Sequence, residues 1–418
     1  MTIGCRALNF DPASAPDGAR APTPATLDLV YFNAGGGHRA AALALEEVIR
    51  EQGWPWQMRL VNLFEVLDPT GQFSRVTGFA PETYYNKRLA KGWTLGLAQE
   101  LKLLQGMIRF GHTRLVQRLA GHWLRTEPDL VVSLVPNFNR AIYDSVASAL
   151  PGVPCVTVLT DMADHPPAFW IEPPQGQHLV CGTARAMAQA RALGHDETHL
   201  HATSGMILRP DFYRELPLDR SAERARLGLD PDRPTGVVMF GGQGSMSMLA
   251  IAEQLDDVQL LLMSGHHRPL AAKLRALKSA APRAVMGFTP EVRRHLQLGD
   301  FFIGKPGPGS LSEAVHLGLP VITTRNAWTM PQERYNAEWV RENGLGLVAT
   351  SIRTIQPSVA ALLAGLDGFK ARAAGMRNRA VFELPTILAR ILASAARPAA
   401  AGACPISRLS SSSGKWVR

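Results

Sequence analysis

The chain has 418 residues, with 44 Lys plus Arg against 35 Asp plus Glu, for a formal net charge of +9. That length excludes a single ordinary domain and predicts two of roughly 150 to 200 residues, while the positive excess suits nucleic acid, a phosphate-bearing ligand or an acidic membrane. Four cysteines, Cys5, Cys155, Cys181 and Cys404, lack paired short spacing, which argues against a disulfide framework or a cysteine zinc site and fits a reducing compartment.

In chain order, residues 1–26 are rich in Pro, Ala and Gly and read as a tail. They lack the apolar central run of a secretory leader, and no run of about 18 apolar residues follows, so a cytoplasmic, soluble or peripheral chain is expected. Short apolar runs then alternate with amphipathic stretches, the pattern of a parallel α/β sheet. Strands are predicted at 27–33, 57–63, 129–135 and 155–161, and the scheme restarts at 235–240, 258–265, 284–288, 300–304 and 319–324. The reading is two doubly wound domains: 27–207 and 208–378, joined near Pro210. A helix over 379–393 packs back on the first, and 394–418 form a second tail. Two such domains place a ligand cleft between them, beyond the carboxyl ends of their strands.

Glycine-rich loops follow strands in both halves. Gly35, Gly36, Gly37, His38 and Arg39 lead from the first strand into a helix, where close backbone approach and unpaired N–H groups suit an anion. A dinucleotide-binding loop needs another glycine spacing and an acidic residue where Asn62 stands, and a tight turn capped by His38 is the plainer alternative. Gly241, Gly242, Gln243, Gly244 and Ser245 form a second such loop, suited to a diphosphate or simply a permissive turn. The stretch IGKPGPGSLSEAVHLGLPVI, residues 303–322, is the most specific: Lys305, Gly307 and Gly309 precede a helix expected to open at Ser310, with Glu313 in its first turn. Glu313 there either accepts ribose hydroxyls or compensates the helix dipole. Gln332 and Glu333 offer acceptors for sugar hydroxyls, or a solvated helix start.

GGGHRA at 35–40, the 303–322 stretch and QERYN at 332–336 closely resemble monogalactosyldiacylglycerol synthases, and more distantly the lipid-linked N-acetylglucosaminyltransferase of peptidoglycan synthesis, over about residues 29–390. The resemblance implies a GT-B fold of two Rossmann-like domains and inverting, metal-independent transfer of a hexose, galactose foremost, from a UDP-sugar to diacylglycerol. No bound cofactor is implied. By that likeness His38 is the general base, Phe288 flanks uracil, Glu313 takes the ribose, and Gln332, Glu333 and Asn336 belong to the sugar end. Asp161, His165 and Trp170 lie toward the acceptor.

The residues themselves support a base at His38, since an imidazole titrates near ~6.5 and the first loop has no carboxylate; Asp161 is the alternative base or the partner of an imidazole. Across 72–126, Tyr84, Tyr85, Trp93, Phe110 and Trp123 are interleaved with Lys87, Arg88, Lys91, Lys102, Arg109, Arg114, Arg118 and Arg125. That mixture suits an anionic bilayer, with the cytoplasmic face of the cell membrane as the expected location; a packed helical pair with a basic face is the alternative, and no nucleic-acid module accompanies the charge. A sugar-nucleotide epimerase or a UDP-sugar sensor also fits such a fold.

Overall fold

The computed structural model describes residues 24–33, 37–70 and 97–395. Gly35, Gly36, Tyr84, Tyr85, Lys87, Arg88, Lys91, Trp93, residues 1–23 and residues 396–418 lie outside that set. Two six-stranded sheets, all parallel, form the body. The first comprises β1 Ala25–Tyr31, β2 Trp56–Asn62, β3 Leu130–Ser133, β4 Cys155–Val158, β5 His178–Cys181 and β6 Leu200–Ala202, in the order β2-β1-β3-β4-β5-β6. The second comprises β7 Thr235–Met239, β8 Gln259–Met263, β9 Arg283–Met286, β10 Phe301–Gly304, β11 Val321–Thr324 and β12 Gly346–Ala349, in the order β12-β11-β10-β7-β8-β9.

Sequence and packing agree in the central strands. β3, β4, β7, β8 and β10 are buried along their whole length, as continuous apolar runs under helices on both faces must be. Each fully buried side chain of the Phe301, Phe302 and Ile303 kind contributes about 1.5–3 kcal/mol. Asp300, just before β10, stays ionised: despite burial, Lys370, Arg220, the Thr235 amide and Arg224 hold its carboxyl far below the usual range. β1 begins at Ala25, inside the stretch read as a tail. β5, β6 and β12 are absent from the sequence reading, being three or four residues long and lacking alternation.

The chain crosses between the domains at two places. After β6 it passes through a 3₁₀ turn, Pro210–Tyr213, into the second domain. It returns after Met376 to the helix Ala380–Ser394, whose Leu384, Leu388 and Ile391 join Leu27, Leu29 and Val132 in the first domain's core. Hydrogen bonds stitch the crossings together: Asn378 Nδ2 donates to Met206 O at 2.8 Å and Arg379 N to Ser204 Oγ at 2.7 Å. No helix among the described residues is long and apolar enough to cross a membrane.

Candidate active site

A cleft of about 1360 Å³ opens between the domains, lined by both. On the first-domain wall, the helix Gly37–Glu51 opens on the loop after β1, placing His38 in the cleft lining. Its Nδ1 lies 3.0 Å from Thr160 Oγ1, beyond β4. Desolvation pushes the imidazole down to about 4, with the Leu134 backbone opposing, so His38 is neutral at pH 7.

Asp161 follows Thr160 and also lines the cleft. Trp170 Nε1 donates to Asp161 Oδ2 at 2.9 Å, and Oδ1 has no hydrogen-bond partner among the described residues. Burial pushes this carboxyl up to about 7; the Trp170 bond opposes, Glu333 adds and Lys305 subtracts. Trp170 is fully buried and stands behind Asp161 as its support rather than facing the cleft. Asp164 fixes that support by accepting from Trp170 N at 2.6 Å and Ala168 N at 3.0 Å.

On the second-domain wall, the loops after β7, β8 and β10 converge. Gly241 and Gly242 line the cleft, whereas Gln243, Gly244 and Ser245 do not. Ser245 Oγ instead caps Ser247 N at 3.2 Å. Gly244, at φ +66°, has its Cβ position 2.3 Å from Ser264 O, so only glycine lets the loops after β7 and β8 interlock there. Phe288 stacks on His266, ring centroids 3.8 Å apart, forming an aromatic ledge at the cleft.

The helix after β10 runs from Pro308 to His316 with Gly307 at its N-cap. It begins before the expected Ser310 because Pro308 presets the first helical φ and its missing N–H is no loss there. Glu313 therefore lies in the second turn, not the first, but still lines the cleft together with Gly307, Gly309 and Ser310. Burial pushes the Glu313 carboxyl up to about 7, with Arg209 opposing and Asp211 adding. Lys305 Nζ reaches Glu333 Oε1 at 2.7 Å, so these two residues act as one unit beside the helix start. Gln332 is at the cleft too.

Three further expected residues fall elsewhere. Asn336 is fully buried and donates to Pro306 O at 2.7 Å, which shapes the 305–309 loop from behind. His165 and Arg39 do not line the cleft. Sequence reasoning also missed several features. It overlooked His266, whose signal was its place after β8, and the Lys305–Glu333 pair, which only the fold brings together. It also missed the apolar face of the helix Leu97–Phe110, where Leu103, Leu104 and Met107 line the cleft mouth. Leu103, Met107 and Phe110 are 65%, 56% and 97% exposed. Their spacing of three and four residues was readable as one helical face. Trp123, by contrast, is fully buried and bonded to Ser145 Oγ at 2.8 Å, so it belongs to the core and not to a surface patch. Among the described residues no group of three or more His, Cys, Asp or Glu side chains is arranged to hold a metal ion.

No family model matches the chain. It is 31% identical over 373 residues to the probable monogalactosyldiacylglycerol synthase 3 of Oryza sativa subsp. japonica, covering 79% of this chain and 66% of that protein. With monogalactosyldiacylglycerol synthase 1 of Arabidopsis thaliana it shares 26% identity over 361 residues, covering 82% of this chain and 66% of the relative. The chain thus spans about two thirds (66%) of the length of the first such relatives. Among solved structures it resembles the calicheamicin glycosyltransferase CalG4 (TM-score 0.58, 14% identity, 90% of this chain and 100% of that one). It also resembles MurG of Acinetobacter baumannii (TM-score 0.54, 12% identity, 88% and 100%). A putative UDP-N-acetylglucosamine 2-epimerase from Listeria monocytogenes shares the architecture as well (TM-score 0.52, 15% identity, 88% and 95%), so these likenesses establish fold alone. With both sheets parallel, the cleft between them and the sequence likeness spanning both domains, the chain is a monogalactosyldiacylglycerol synthase-like protein of the GT-B fold.

Proposed function

We propose that the chain is an inverting glycosyltransferase moving a hexose, galactose foremost, from a UDP-sugar to the free hydroxyl of diacylglycerol at a membrane surface. One observation carries this reading: a single cleft sets a proton acceptor, Asp161 beside His38, across from an anion-binding wall of Lys305 and the N-terminus of the helix Pro308–His316. The curated likeness supplies the lipid and the sugar.

In this reading the diphosphate rests on the Gly241–Gly242 backbone and the helix start, where unpaired N–H groups and the dipole stabilise the charge that develops on UDP as it leaves. Neither needs a bound cofactor or a cation. Phe288 stacks on the base and the Glu313 carboxylate accepts from the ribose hydroxyls. Gln332 and Glu333, the latter steadied by Lys305, meet the sugar hydroxyls. The acceptor hydroxyl attacks the anomeric carbon from the opposite face, giving a β-linked product.

Between the two candidate bases, the preference moves from His38 to Asp161. A useful base titrates near the working pH; Asp161 does so at about 7 and offers a free Oδ1, whereas His38 sits at about 4. His38 then serves as a neutral imidazole whose ring N–H donates to the oxygen of the incoming hydroxyl and orients it toward Asp161. The exposed face of Leu103, Met107 and Phe110 at the cleft mouth suits acyl chains entering from a bilayer. The test is UDP release from UDP-galactose in detergent micelles with and without diacylglycerol. Release stimulated by the lipid is expected; release indifferent to it, or conversion of the sugar nucleotide alone, contradicts the reading.

A further inference from the structure

A second cavity, of about 440 Å³, shares no lining residue with the interdomain cleft. Arg325 directly follows β11 and Thr350 directly follows β12, so it lies at the carboxyl ends of two neighbouring parallel strands, where open α/β sheets bind ligands. Arg334 and Arg341 complete it from one face of the helix Arg334–Glu342, two turns apart.

The charges there do not balance. Glu338 pairs with Arg325 and, at 3.2 Å, with Arg341. Arg334 is half-buried and has no ion-pair or hydrogen-bond partner among the described residues. Three guanidinium groups against that one carboxylate leave two positive charges in excess around a concave space. A half-desolvated guanidinium without a partner forgoes the hydrogen bonds its planar fork is built to make. The field also reaches the first domain: after burial itself, Arg334 is the main influence holding the His165 imidazole down, with Arg325 and Arg185 adding to it.

We propose that this cavity is a phosphate-binding site, separate from the donor's diphosphate cradle, in which Arg334 grips the anion with Arg325 and Arg341 flanking it. A phosphate oxygen pair matches the guanidinium fork, and the excess charge matches a mono- or dianion. The phosphate comes either from a soluble phosphate compound or from the headgroup of an anionic lipid. The site stands on its own residues and does not depend on the transfer reaction.

The test uses the full chain saturated with UDP, so that the interdomain cleft is filled, and titrates inorganic phosphate by calorimetry. In parallel, flotation is measured with phosphatidylcholine vesicles with and without phosphatidylglycerol. Should UDP not occupy the cleft, Lys305→Gln is used instead, and phosphate binding that persists in it reports this cavity. Arg334→Gln should weaken binding of one probe or both by roughly tenfold or more, and Arg334→Lys should recover part of it by keeping the charge without the fork. An effect on phosphate alone assigns a soluble ligand, and an effect on vesicles alone a lipid headgroup. Arg334→Gln and Arg341→Gln variants that are folded by circular dichroism and bind both probes like the parent overturn the proposal, as does a parent that binds neither.

Discussion

Replacing Asp161 by Asn should raise stability and abolish activity together. The carboxyl has its proton-binding midpoint moved from 3.8 to about 7 by burial, so the folded state holds this proton more tightly than the unfolded chain. Between those values the native state binds more protons, and stability falls as pH rises. A shift of about 3 units at 1.36 kcal/mol each makes the ionised carboxylate cost the fold about 4 kcal/mol above pH 7, an upper figure, and nothing below pH 4. Asparagine removes the charge but keeps an oxygen for the Trp170 indole N–H. Urea unfolding should therefore show Asp161→Asn more stable than the parent at pH 8 by up to about 4 kcal/mol, and nearly equal at pH 3.5. Transfer rates should drop by roughly 10² to 10⁴ with loss of the base, and in the parent kcat/KM should rise with pH through a midpoint near 7. An Asn variant that is active would refute the catalytic role, and one less stable than the parent at pH 8 would refute the burial argument.

Three other outcomes follow from the same geometry. His38→Ala should lower turnover by roughly tenfold or more while leaving the ascending limb of the pH profile in place, because the titrating group is Asp161; loss of that limb returns the proton to His38. Glu313, held near 7 by burial, accepts most strongly from ribose hydroxyls when ionised, so UDP affinity measured by calorimetry should tighten from pH 6 to pH 8; in Glu313→Gln it should be weaker by about 1.5–3 kcal/mol and flat with pH. Changing Leu103, Met107 and Phe110 together to Ser should reduce flotation with vesicles and raise KM for the lipid with UDP affinity unchanged, and unaltered flotation would remove that face from the membrane contact.

How much of this was readable in the sequence depends on the distance over which each feature is built. Central strands such as β3 and β8 were legible because burial on both faces demands an unbroken apolar run. Edge elements such as β6 and β12 were not, since a few residues at a sheet margin carry no period. The glycine loops at 241–245 and 305–309 announced anion-binding turns, yet only the interlock at Gly244 shows which part faces the cleft and which part braces it. Helix starts moved by a few residues, and Glu313 moved with them, because Pro308 nucleates earlier than the polar Ser310 suggested. The electrostatics were the least legible. His38 and Thr160 are 122 residues apart, and Lys305 and Glu333 28 apart. Thus the desolvation that separates the two candidate bases exists only in the folded chain. Composition misdirected one residue: Trp123 belongs to the core, whereas Phe110 is exposed beside Leu103 and Met107 on the helix Leu97–Phe110.

The most direct measurement is mass spectrometry of the lipid extract after the purified chain is incubated with diacylglycerol micelles and, in parallel, UDP-galactose, UDP-glucose and UDP-N-acetylglucosamine, each with and without a chelator. The account predicts a hexosyl-diacylglycerol, formed most strongly from UDP-galactose, β-linked by the anomeric coupling in its proton NMR spectrum and undiminished by the chelator. Transfer only to a polyprenyl-linked acceptor, an α-linked product, or a new sugar nucleotide with no glycolipid would contradict it.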